Sequence, residues 1–254
     1  MNHLCIVGYW NSGTTLLVDL LRKHPQLRLR HARYKPNLED RSLVKMLRRL
    51  GHDFIRFEPR YQRVIEHGWD WYQQPQLSEA ERARFRRMFL RHYRVKPPQW
   101  LLLKNPWLWF MPDFLRENFT EDQMRYVVIL REGGMQAASK DYWLRDPADP
   151  PALLRARGQF WVRAMEFFYQ HWHDRPDVYV MRYENLCADP VGEVQALLQW
   201  IGLAVDPLRA RLPQRLTNRT DKLDQLPPGL REELLAAIAS MQARIDVDYP
   251  VQEE

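Results

Sequence analysis

The chain has 254 residues, of which 45% are hydrophobic and 12% aromatic; this can fill a substantial core and excludes a wholly disordered polymer. Its 38 basic and 32 acidic residues leave a net charge of +6, and Arg supplies 31 of the cations, a planar fork suited to phosphate. Two cysteines, Cys5 and Cys187, are too few for a disulfide framework and form no metal-type pair, so reduced, buried thiols are expected. The apolar run at 4–7 lacks the basic lead and length of a signal peptide. No run approaches the ~20 apolar residues that span a bilayer. A soluble, cytoplasmic protein with no membrane partner is expected.

Strand-like runs at 4–9, 27–29, 100–103, 125–130 and 178–181 alternate with helical patterns, which predicts an α/β fold with a parallel sheet and helices on both faces. Helices are predicted at 14–23, at 38–50 behind an N-cap at Asn37, and after Ser78, where Glu81 completes a capping box. Further helices are expected at 107–118, 134–144 and 153–172. Asp189-Pro190 opens one at 191–201, and a last one covers 230–245. Residues 1–254 read as one domain without internal repeats. The irregular stretches 51–76 and 212–226 are expected to shape a ligand site, since such segments lie outside the strand ends of parallel α/β folds.

The most informative segment joins the first strand to the first helix. Gly8 and Gly13 bracket a short loop, and Asn11-Ser12-Gly13-Thr14-Thr15 leads straight into helix. Backbone N–H groups of such a loop, backed by a helix N-terminus, cradle phosphate, and the two Thr hydroxyls add donors. A nucleoside-triphosphate P-loop ends in Gly-Lys-Ser/Thr, but Thr14 stands where the Lys belongs. The third clear strand delivers Arg131 rather than an acidic magnesium ligand. The loop is therefore P-loop-like without the triphosphate–magnesium apparatus.

Four short motifs, in order, resemble the PAPS-dependent sulfotransferases. Asn11 to Thr15, followed by His24-Pro25, is similar to their 5′-phosphosulfate loop. Arg131 at a strand end, with Ser139 eight residues on, is similar to their 3′-phosphate site. Leu103-Lys104-Asn105-Pro106 is similar to the strand-end Lys-x-Pro, and Tyr183-Glu184-Asn185-Leu186 to a late segment whose Tyr lies near adenine. The resemblance implies a sulfotransferase-type fold and transfer of a sulfuryl group from PAPS, releasing PAP, to a hydroxyl of a small-molecule or glycan acceptor. It implies no metal. Two departures stand out: Asn11 replaces the usual basic residue, and Arg131-Glu132-Gly133 replaces Arg-Asp-Pro.

On that resemblance Lys104 is the electrophilic stabiliser, and Asn11, Ser12, Gly13, Thr14 and Thr15 hold the 5′-phosphate. Arg131 and Ser139 hold the 3′-phosphate, and Tyr183 lies by the base. Ser139 is placed about two turns into its helix, with the long Arg131 reaching back. His31 is the first choice as general base, since imidazole has a suitable pKa, and Glu39 and Asp40 are the alternatives. Arg219 and Lys222 sit where relatives place a flap, although solvated loop charges explain them too. Trp10, Trp107 and Trp109 flank the site elements and either wall an acceptor pocket or belong to the core.

Two features point elsewhere. His171-Trp172-His173 looks metal-like, but i and i+2 diverge on a helix. The arginines at 82, 84, 86, 87, 91 and 94 alternate with Phe85, Met88 and Phe89, so they mark the solvated face of an amphipathic helix. An acidic acceptor or a partner chain suits that face better than nucleic acid, which is not expected as a partner. Two rival functions remain: a nucleotide-binding module with weakened or lost catalysis, on account of Asn11, and an ATP-dependent small-molecule kinase. Oligomeric state is not readable.

Overall fold

The computed structural model describes residues 2–30, 37–52, 64, 66, 75–94, 99–120, 122–139, 150–209, 211–218 and 221–252. Five strands, β1 (Asn2–Val7), β2 (Leu27–Leu29), β3 (Trp100–Lys104), β4 (Gln123–Leu130) and β5 (Val178–Arg182), form one sheet in the order β2-β3-β1-β4-β5. Every pairing is parallel. The registers Ile6↔Lys104, Val7↔Val128 and Leu130↔Arg182 bring the C-terminal ends of four strands to one rim. β1 is central, and the chain leaves it toward both sides of the sheet, which creates the crevice where parallel sheets bind ligands.

The strands are near-continuous apolar runs because both faces are covered. Cys5, Val7, Leu103, Tyr126 and Val128 face one core, and Leu4, Ile6, Leu102, Val127 and Ile129 face the other. Against the first pack α2 (Ser42–Arg48), α3 (Glu79–Tyr93), a 3-10 turn (Pro106–Phe110), α4 (Phe114–Asn118), α5 (Gly133–Ala138) and α6 (Pro150–His171). Against the second pack α1 (Thr14–Leu21), α7 (Tyr183–Ala188), α8 (Pro190–Trp200) and α9 (Asp206–Arg209). A short α10 (Asp221–Asp224) interrupts the stretch read as irregular at 212–226, and α11 (Pro228–Asp248) returns to the first face. The α/β class read from the sequence is the observed one.

The caps explain several boundaries. Ser78 and Glu81 form a reciprocal capping box at α3, and Asp189 accepts the Gly192 amide at α8 behind Pro190. Three predicted helices differ. The helix expected at 38–50 starts only at Ser42, because Leu38 has φ 52° and the Asp40 carboxylate accepts the Ser42 amide at 2.8 Å, forming a turn first. The helix expected at 107–118 splits around Pro112, which cannot donate a backbone hydrogen bond. The helix expected at 134–144 ends at Ala138, where Ser139 turns extended with ψ 135°. Ser139 therefore terminates the helix instead of lying two turns inside it.

Candidate active site

The loop after β1 is packed tightly against its own neighbours at both of its glycines. An added Cβ at Gly8 would meet Ser12 Oγ at 2.3 Å, and one at Gly13, where φ is 101°, would meet the Tyr183 ring at 2.3 Å. Both positions therefore need glycine. Asn11 has φ 61°, a conformation that Asn tolerates better than most side chains, so backbone geometry helps to explain its presence. The Ser12 amide donates to Tyr9 O at 3.1 Å, which turns it inward. Ser12 Oγ is buried without a hydrogen-bond partner. The first-turn N–H groups of α1, from Thr14 onward, have no intrahelical acceptor and point out of the helix start. A glycine cradle, an orphaned buried hydroxyl and a helix N-terminus together fit an anionic group such as a nucleotide 5′-phosphate.

Lys104 ends β3 beside this loop. It is 3% exposed, and its ammonium donates to Thr15 Oγ1 at 2.7 Å and to Asn37 O at 2.5 Å. Glu39 Oε1 lies 4.0 Å away. Burial pulls its pKa down to about 8, and the Glu39 charge opposes only part of that shift. The Asp40 amide binds Lys104 O at 2.9 Å, and Asn105 donates to Asp40 O at 2.7 Å, so the 37–40 segment is laced to the strand end. Of the alternative bases, Glu39 is the carboxylate next to Lys104. Asp40 is buried, holds the Ser42 amide and faces the Tyr93 hydroxyl, whose pKa is raised by burial and then by the Asp40 carboxylate.

On the other side of β1, Arg131 leaves β4, 7% exposed, and donates to Asn11 O at 3.0 Å. Its guanidinium lies 4.4 Å from the centre of the Tyr183 ring, the same ring that packs on Gly13. The Tyr183 hydroxyl is pushed up to about 12 by burial and by its bond to Cys187, so it stays protonated. Gln136 on α5 donates to the loop carbonyls of Tyr9 and Trp10 and accepts from Trp161 Nε1 at 3.0 Å. Glu184 accepts the Glu132 amide at 2.9 Å and pairs with Arg182 at 3.1 Å, while Arg182 also binds Asp246 of α11 at 2.9 Å. Gln242 accepts the Gly133 amide at 2.8 Å. Gln136 and Gln242 carry no motif of their own and are not legible in the sequence, whereas Glu184 lies in the quoted Tyr-Glu segment but has no role there.

Ser139 is buried at the end of α5. Its hydroxyl donates to Met135 O at 2.9 Å and accepts from Lys222 Nζ at 3.2 Å, while Arg157 of α6 donates to its carbonyl at 3.3 Å. The structure therefore brings Lys222, from the stretch read as a flap, onto the residue expected at the 3′-phosphate. The loop, Lys104 and Thr15 form one group, Arg131, Asn11 and Tyr183 a second, and Ser139 and Lys222 a third.

His31 and Arg219 lie outside the described residues, as does most of 51–76. Trp109 is 1% exposed and belongs to the core, while Trp10 stacks on Phe160 at 5.4 Å. His173 is bonded to the Tyr249 hydroxyl at 2.6 Å and to Asp174 at 3.0 Å, which accounts for it without a metal role. Among the described residues no group of three His, Cys, Asp or Glu side chains could hold a metal ion, and no helix is long and apolar enough to cross a membrane. Cys5 and Cys187 are buried and unpaired.

A parallel sheet whose rim carries a glycine-bracketed loop, a buried Lys and a strand-end Arg has the P-loop-like α/β architecture. The Sulfotransferase family model matches residues 4–207, and the chain belongs to that family. A sulfotransferase of Alicyclobacillus acidocaldarius superposes with a TM-score of 0.56 at 17% identity, covering 100% of this chain and 97% of that one. A sulfotransferase of Mycobacterium avium gives 0.55 at 14% identity, covering 96% and 77%. The sulfotransferase domain of the Synechococcus olefin synthase gives 0.51 at 16% identity, covering 100% and 96%. These likenesses establish the shared fold. No curated protein matches the sequence.

Proposed function

We propose that the protein transfers a sulfuryl group from PAPS to an acceptor hydroxyl, with PAP as the product. The observation that carries this reading is the pairing of a buried ammonium, Lys104, with an anion cradle on the adjacent strand end, bridged by Thr15. The donor supplies an activated sulfuryl group on a phosphate leaving group. The loop amides beyond Ser12 and the orphaned Ser12 hydroxyl bind the 5′-phosphate. Arg131 and Ser139 bind the 3′-phosphate, and Lys222 joins them. Tyr183, held by Gly13 and Arg131, borders the base.

In-line transfer asks mainly for positioning and charge stabilisation. The Lys104 ammonium faces the charge that develops on the leaving oxygen, and Asn37 O and Thr15 Oγ1 fix where it points. Among the described residues Glu39 is the carboxylate placed to take the acceptor's proton, and Arg41, 3.6 Å away, orients it. Two buried, unpaired thiols suit a reducing compartment, and the cytoplasm is our reading of the setting.

The exposed Asn11, where relatives carry a cation, favours one second reading: a module that binds the nucleotide with little turnover. Thermal unfolding tests the nucleotide site first. Adenosine 3′,5′-bisphosphate at a hundredfold excess over Kd should raise the midpoint by about 5–10 °C. The 3′-dephospho nucleotide at the same concentration should raise it by no more than about half as much, and ATP with magnesium should not raise it. A shift with ATP alone would replace this reading by a kinase, and release of PAP from PAPS with an acceptor separates enzyme from binding module.

A further inference from the structure

Among the described residues, basic charge is concentrated on one surface. Segments 41–49 and 79–94 together hold ten Arg and Lys against two carboxylates, a surplus larger than the +6 of the whole protein. They form α2 and α3, which pack side by side in opposite directions: His92 Nε2 meets Ser42 Oγ at 2.9 Å at one end, and His52 meets Glu81 at 3.2 Å at the other. On α3, Phe85, Phe89 and Tyr93 are buried, whereas Arg84, Arg87, Arg91 and Arg94 are exposed. Their steps of three, four and three residues align them on one face over about 15 Å. Arg41 and Lys45 repeat the spacing on α2, also exposed. Among the described residues no carboxylate lies on α2 or on α3 beyond Glu81.

This surface runs into the site. Arg41 is 3.6 Å from Glu39, which is 4.0 Å from Lys104, and Arg30, just past β2, donates to Arg94 O at 3.3 Å. A small neutral acceptor would use none of it. A single-stranded nucleic acid is bound by cations interleaved with exposed aromatics, yet every aromatic of α3 is buried. A membrane-lying helix exposes its apolar face, whereas Phe85, Phe89 and Tyr93 of α3 are in the core and Leu90 is its one exposed large apolar residue.

Resting on the sulfuryl-transfer reading, we propose that the acceptor is an extended polyanionic glycan, with carboxylate or sulfate groups at repeated intervals. Its unreacting length lies along the arginine face of α2 and α3 while one hydroxyl reaches Lys104.

The test compares the wild-type protein with a triple variant, Arg84→Glu, Arg87→Glu and Arg91→Glu, in the presence of adenosine 3′,5′-bisphosphate. Labelled oligogalacturonate, neutral dextran of equal length, single-stranded DNA of equal charge and anionic phosphatidylserine vesicles are titrated at several salt concentrations. Oligogalacturonate should bind best, and the variant should bind it about a hundredfold more weakly or worse. The slope of log K against log salt should shrink by about 2, since each lost cation contact on a single-stranded polyanion removes about 0.7. With PAPS, the variant should raise KM for the oligogalacturonate and leave kcat unchanged. Equal binding by the two proteins, or tighter binding of DNA or vesicles than of oligogalacturonate, overturns the proposal. The bisphosphate-induced thermal shift must be the same in both proteins; its absence from the wild type would instead refute the sulfuryl-transfer reading, whatever the glycan does.

Discussion

The two sides of β1 are built differently. On the β4–β5 side, Arg131, Tyr183 and Ser139 are fixed by partners from far along the chain: Gln136 grips the loop, Glu184 holds Glu132, α11 anchors Arg182, and Lys222 reaches Ser139. On the β3 side, one buried Lys rests on a hydroxyl, a carbonyl and a carboxylate supplied by short segments. The first arrangement makes a rigid clamp with many redundant contacts. The second makes a single buried cation whose pKa burial lowers to about 8. Nucleotide binding should therefore survive the loss of Lys104, whereas turnover should hang on that side chain.

The largest effect should come from Lys104. Lys104→Ala should lower kcat by about 10²–10³-fold, the cost of removing one preorganised donor, while bisphosphate affinity stays within a few-fold by titration. A parallel loss of affinity would show that Lys104 belongs to the clamp. Gly13→Ala comes next. Its φ of 101° and the Tyr183 ring at 2.3 Å should cost about 1–3 kcal/mol of stability, read by chemical denaturation, and should weaken nucleotide binding with it. An unchanged denaturation midpoint would mean that the ring moves freely.

The pH dependence sharpens the comparison from the other side. Lys104 stabilises charge only when protonated, and burial holds its pKa at about 8. Transfer should therefore fall as pH rises through about 8, while bisphosphate affinity, carried by Arg131, stays flat. The sign for stability is opposite. An unfolded Lys binds its proton up to its ordinary, higher pKa, so between about 8 and that value the unfolded state holds more protons and the folded state gains stability as pH rises. The difference in unfolding free energy between wild type and Lys104→Met should rise across that window; a flat difference would mean that Lys104 is not depressed.

The smallest effect should follow Asn11→Lys. A Lys at φ 61° costs about 1 kcal/mol, but a cation beside the leaving phosphate should raise turnover. A rise in turnover supports a weakened enzyme. No activity in either form supports a binding module.

The five strands were legible because strands buried on both faces are continuous apolar runs, and Gly8, Gly13, Lys104 and Arg131 were legible because each ends or follows such a run. Residues joined across long separations were not. Nothing local announces that Gln136 holds the Tyr9 and Trp10 carbonyls or that Lys222 meets Ser139, 83 residues away. The boundary errors have local causes of their own. Periodicity carries a helix through Leu38 and Asp40, but a left-handed residue and an Asp turn stop it from starting before Ser42. The same periodicity runs past Ser139, where the backbone turns extended.

The measurement that tests the nucleotide clamp most directly is calorimetric titration of adenosine 3′,5′-bisphosphate and adenosine 5′-phosphate into wild type and Arg131→Ala. The wild type should prefer the bisphosphate by about tenfold to a hundredfold, the worth of a charge-assisted phosphate contact, and the variant should lose most of that preference while binding adenosine 5′-phosphate as before. Equal losses for both nucleotides, or no preference in the wild type, would contradict the assignment of Arg131 to a 3′-phosphate and with it the donor proposed here.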